Sequence, residues 1–164
     1  MDAQLTILDE IASRLNNISI ANGYRFDIEE SAIERARLTP FVNGDLPAIN
    51  YWPSLDSLDN KTSGKETRSF DVTIEIYDVT MDEPFTDLAI KHGNDVVTAL
   101  FRATDAPTVS DNPSYALGDL VSTVTINSIT PMIGEGQSPW FGALLNLTIK
   151  YNIKAGDFSA PVNY

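Results

Sequence analysis

One histidine, no cysteine and 23 acidic residues limit the chemistry open to this 164-residue chain. His92 stands in register with Phe85, Leu88, Ala89 and Val96, on what reads as the apolar stripe of a helix. A Ser–His–Asp triad would have to use it, yet spacing singles out no serine or aspartate partner. It is read as a helix-boundary or partly buried imidazole. A lone histidine without thiolates excludes the usual zinc ligand sets, and with them disulfides and cysteine nucleophiles. Acids gather at Asp27, Glu29 and Glu30, at Asp56 and Asp59, and at Asp82 and Glu83. None has calcium-loop spacing, and they are read as solvated faces and helix caps. Gly134-Glu135-Gly136 sits between two strands, whereas a dinucleotide fingerprint must lead into a helix N-terminus. Gln137-Ser138-Pro139 lacks the second glycine of a nucleophile elbow. The sequence predicts no enzyme, no metal site and no cofactor.

The elements that would position these residues follow from periodicity. Leu8, Ile11, Leu15 and Ile18 mark an amphipathic helix over residues 2–17, with Asp2 as N-cap and Asn22-Gly23 as the following turn. A short strand is expected around 31–37 and another over 46–52, ending at Pro53. Residues 54–67 are polar and aperiodic, and read as a mobile loop. Phe70, Val72, Ile74 and Ile76 then alternate with Ser69, Asp71, Thr73 and Glu75, so strands 46–52 and 68–77 form a hairpin around that loop. Asp82-Glu83-Pro84 opens a second helix running to about Phe101, and 103–118 reads as a second loop. A strand over 119–131 places Val121, Thr123, Thr125, Asn127 and Ile129 opposite Val124 and Ile126. The longest strand, 140–154, puts Ala143, Leu145, Leu147, Ile149, Tyr151 and Ile153 on one face. The expected fold is α+β: an antiparallel sheet of about four strands with two helices packed on one face, over 1–154, followed by a tail, 155–164.

A hydrophobic fraction of 43% supports a real core, and 11 basic against 23 acidic residues give a net charge of −12. Such a balance opposes phosphate neutralisation and binding to anionic membranes. No apolar run approaches the ~18 residues of a membrane span. The N-terminus, MDAQLTILDE, carries acids where a signal peptide needs basic residues, so secretion is not expected and the Asn-x-Ser/Thr matches at Asn17, Asn60 and Asn146 carry no weight.

The leading helix, Gly23-Tyr24-Arg25, Leu46-Pro47-Ala48-Ile49-Asn50-Tyr51-Trp52, the strand from Arg68 to Tyr77, a helix, and a last strand ending Leu147-Thr148-Ile149-Lys150-Tyr151 form a recognisable order. In layout this resembles the tail-terminator (minor tail protein U-like) proteins of long-tailed bacteriophages, over about residues 1–154. The resemblance implies a virion protein, assembled in the host cytoplasm, that forms a hexameric homo-oligomeric ring at the head-proximal end of the tail. The ring stops polymerisation of the tail tube protein and offers a surface to the head–tail connector protein, while DNA passes through its lumen without specific binding. An acidic lumen would keep DNA mobile. Other readings are another head–tail connector or tail-completion protein, a monomeric binding adaptor, or a small hydrolase using His92. For a ring, Asp56, Asp59, Lys61 and Lys65, with Arg68 at the exit of the polar stretch, are the candidate subunit-interface residues, because mixed charge suits a heterologous contact.

Overall fold

The structure, a computed structural model, describes residues 2–79, 84–102, 117–134 and 140–162. Two helices, α1 (Ala3–Leu15) and α2 (Phe85–Phe101), lie with six strands: β1 (Ile33–Arg35), β2 (Ala48–Pro53), β3 (Ser57–Thr62), β4 (Lys65–Asp78), β5 (Thr123–Gly134) and β6 (Trp140–Lys154). One sheet holds all six, in the order β1-β2-β4-β6-β5, and β3 pairs with the first part of β4.

The expected sheet of about four antiparallel strands is therefore corrected to a mixed sheet of six, in which β1 runs parallel to β2 through Ile33↔Ile49. The physical reason lies in the two strands that carry little apolar signal. β3 is Ser-Leu-Asp-Asn-Lys-Thr with all six residues exposed, so no buried face imposes a period. It is held instead by its ladder to β4 and by a tight turn in which Gly64 takes φ +87°. Residues 57–62 are thus a strand, where a mobile loop was expected. β1 has only three residues, inside the strand expected around 31–37, and it joins the sheet by running parallel to β2.

The strongly alternating segments fold as expected. β4 and β6 pair antiparallel, placing Phe70, Val72, Ile74 and Ile76 opposite Ile149, Leu147, Leu145 and Ala143. All eight are 2% exposed or less. Onto this face pack Ile7, Leu8, Ile11 and Leu15 of α1 and Val96, Ala99 and Leu100 of α2. Asp2 caps α1, accepting from the Gln4 N–H at 2.9 Å. Gly93, a poor helix former, has a reason to be there: a Cβ would lie 2.7 Å from Ile129 Cγ2, so α2 approaches the sheet more closely than any other residue would permit. Arg14 joins the two helices, donating from Nη1 to the carbonyls of Arg102 (2.7 Å) and Leu100 (3.3 Å) at the negative end of α2.

One face assignment is also corrected. In β5 the pairing steps from Ile126↔Leu147 to Ser128↔Asn146, so Asn127 is an extra residue. That bulge moves Ile129 onto the side of Val124 and Ile126, where it packs against the core. The described part of the expected tail folds back: Phe158 accepts from the Ala3 N–H at 2.7 Å, and the Val162 N–H donates to Asn152 at 2.8 Å. Most of the expected loop over 103–118 lies outside the described residues, as do Asp82 and Glu83.

Candidate functional site

The charged residues singled out in the sequence do meet, but chiefly one another. On β4, Glu66 and Arg68 continue the inward row of Phe70, and Arg68 stands opposite Tyr151. Arg68 Nε donates to Asp56 Oδ2 at 2.8 Å and Nη1 to Glu66 Oε2 at 3.3 Å. Tyr151 donates to the same Asp56 oxygen at 2.9 Å, and Lys61 Nζ lies 2.9 Å from Glu66 Oε1. The Phe158 ring covers the Arg68 guanidinium at 4.8 Å. Lys61 and Arg68 hold the Glu66 carboxyl below its ordinary value. Burial, and then the Asp56 carboxylate, push the Tyr151 phenol well up. This network closes the end of the core beyond the helices.

Asp59 goes elsewhere. β3 steps from Leu58↔Arg68 to Asn60↔Thr67, making Asp59 a bulge residue. It accepts from Ser69 Oγ at 2.6 Å and faces Lys150 Nζ at 3.4 Å, on the sheet side away from the helices. Lys65 opens β4 opposite Lys154. Of the five candidates, Asp56 and Arg68 are largely withdrawn into the molecule, whereas Asp59 and Lys61 lie on the outer strand. Glu66, Tyr151 and Phe158 complete the network, and sequence reading did not find them. For Glu66 and Tyr151 the signal was the continuation of the inward parity of β4 and β6 past the aliphatic residues; Phe158, beyond β6, had none.

His92 finds an acid that spacing did not reveal. Its Nε2 lies 2.8 Å from Asp78 Oδ2, the ring stacks on Phe26 at 4.2 Å and meets the edge of Phe141 at 5.0 Å. Nδ1 is buried without a hydrogen-bond partner. One helical turn on, Asp95 accepts from the Arg25 N–H at 2.8 Å and from Arg25 Nη1 at 3.1 Å. Together these contacts clamp the segment around Arg25 and Phe26 onto α2. No hydroxyl is bonded to the imidazole among the described residues, and no three His, Cys, Asp or Glu side chains are grouped to hold a metal ion there.

The uncovered face of the sheet bears a polar lattice. Thr73 donates to Asn146 at 3.1 Å, Asn146 to Ser128 at 3.2 Å, and Asn152 to Ser122 at 2.7 Å. At one corner the lattice gives way to aromatic rings. Tyr77 meets Trp140 edge to face at 5.2 Å and Phe41 at 6.0 Å. With Arg37, Leu46, Asn50 and Glu75 they line a cavity of about 340 Å³. A second hollow, of about 500 Å³, shares Arg37, Phe41 and Leu46 and is lined by Asp27, Glu29, Glu34 and Asp45. Arg37 separates the two, ion-paired with Glu34 and lying 4.3 Å over the Phe41 ring. Burial, and then the adjacent Glu75 carboxylate, push the Tyr77 phenol well up, so it stays protonated and hydrogen-bonded to Glu75.

The chain matches no family model, and no curated protein is detectably similar to it in sequence. What the fold and site define, among the described residues, is an α+β domain with one sheet face covered by helices and the other left open.

Proposed function

We propose that the chain is a structural assembly subunit of the tail-terminator kind, forming a ring that caps the head-proximal end of a phage tail tube and lets DNA pass. The observation that carries this is the pair of open sheet edges. Among the described residues, β5 has no strand partner beyond it, and neither β1 nor β3 has one on the other side. Two dissimilar edges on one subunit suit head-to-tail association of copies, and closure of that association makes a ring. The layout resemblance and the charge of −12 fit a channel that DNA must cross without sticking. Repulsion between such subunits is screened over about 10 Å at 0.1 M salt, so association strengthens as salt rises.

Native mass measurement and sedimentation across protein concentration and salt, with and without tail tubes, test this. The expected result is a closed oligomer seen by electron microscopy at one end of the tube. A monomer under all conditions, with tubes growing on unchecked, overturns it. A closed oligomer that leaves tube ends bare points instead to another connector.

A further inference from the structure

We propose that the aromatic corner of the open face is a docking site for a basic segment of a partner protein, one arginine or lysine side chain entering against Glu75 beside the Tyr77–Trp140 ring pair. This goes beyond the ring reading and does not rest on it. Charge names the occupant. The cavity itself holds one carboxylate, Glu75, and the adjoining hollow holds four more, Asp27, Glu29, Glu34 and Asp45, while one guanidinium, Arg37, lines both. Arg37 is already committed: it pairs with Glu34, lies 3.8 Å from Asp45 and donates to the Thr39 carbonyl at 2.8 Å. Glu75 is half-buried, and its cross-strand neighbours are Asn50 and Leu144, neither of them a cation.

Glu75 accepts a hydrogen bond from Tyr77 but has no ion-pair partner among the described residues, so a cation is the component that its aromatic-walled cavity can still take. The rings attract a cation through their faces, and the desolvated carboxylate attracts it more strongly than it would in water. An arginine fork fits best, since it can stack on a ring and bond a carboxylate at once. Arg37 over Phe41 shows that arrangement within the same corner. The volume of about 340 Å³ accommodates one such side chain, at the lower end of ligand pockets. At the rim, Leu38 is 97% exposed, offering apolar contact to the flanking residues of a bound segment. Nucleic acid and anionic lipid carry the wrong sign for this corner.

The test titrates the full chain with acetyl-tetra-arginine amide, with tetra-citrulline as its uncharged counterpart, followed by calorimetry. Two near-isosteric variants are compared: Glu75→Gln in the corner, and Asp71→Asn on the same open face four residues away along β4. Each removes one of 23 acids, so diffuse attraction to an acidic chain moves both equally. Circular dichroism and thermal melting check that each variant is folded. The expected result is saturable binding of the arginine peptide only, weakened at least tenfold by Glu75→Gln relative to Asp71→Asn. No saturable binding, equal binding of the citrulline peptide, or less than a tenfold separation between the variants overturns the proposal.

Discussion

The two sides of β4 treat charge in opposite ways. On the helix side Phe70, Val72, Ile74 and Ile76 are buried, and where charges continue that row, at Arg68 and Glu66, each has an opposite partner within 3.3 Å. On the open side Asp71 accepts from Thr148, Ser69 bonds Asp59, and the row ends at Glu75, which faces a cavity. Removal from water demands internal compensation, and the inward row supplies it residue by residue. The outward row faces solvent, which tolerates a carboxylate without a cation. Charges that look alike in sequence therefore divide into those that close the molecule and those that stay at the surface.

The largest expected contrast is in stability. Truncating Ile74 to Ala removes a fully buried side chain and should lower the unfolding free energy by ~2–5 kcal/mol, whereas Thr73→Ala on the opposite side should cost less than ~1 kcal/mol. Urea denaturation of both variants measures the difference, and similar costs would break the comparison. Next in size is Arg68→Met, which strips the guanidinium from Asp56 and Glu66. A loss on the order of 2 kcal/mol is expected, because the remaining carboxylates stay in place without it. A loss near zero would mean that water already compensates them.

His92→Gln should cost about 1 kcal/mol through lost stacking on Phe26 and the weakened link to Asp78. Under the proposed ring function, assembly should stay intact once the fold is confirmed by circular dichroism. Loss of assembly with the fold preserved would give His92 a role that its contacts do not explain.

The smallest expected effect is in acid. Lys61, and then Arg68, hold the Glu66 carboxyl below its ordinary value, so its contribution is fully present above the unfolded value of ~4.3 and fades as pH falls through the lower folded value. The melting temperature of Glu66→Gln should approach that of the parent as pH drops below about 4, and lie below it at neutral pH. A gap that is the same at both ends of the range would show that Glu66 is not held by charge.

What was legible in the sequence tracks burial. Ile74 and Leu145 sit in strands that face a core on one side only, and period two followed directly. The two helices were legible through Ile11 and Val96 for the same reason. β3 was not, because Leu58 is its sole apolar residue and half exposed, leaving backbone pairing, which has no side-chain signature, to define it. Ile129 was placed on the wrong face because a bulge at Asn127 breaks alternation without changing composition. Of the network around Arg68, Asp56, Lys61 and the arginine were singled out, but their closure on Glu66, Tyr151 and Phe158 depends on how distant segments meet. The corner of Glu75, Tyr77, Trp140 and Phe41 unites residues up to 99 positions apart and carries no local pattern at all.

The bulges at Asp59 and Asn127 fall on two of the three outer strands, β3 on one flank of the sheet and β5 on the other. Each interrupts its strand near the middle, so an incoming strand meets two short rungs in place of one long ladder. Pro131, farther along β5, has no N–H to offer and shortens one of these further. Along β3 and β5 a continuous ladder to another strand is thereby interrupted, and open-ended pairing of sheet edge on sheet edge, the route to fibres, is discouraged there.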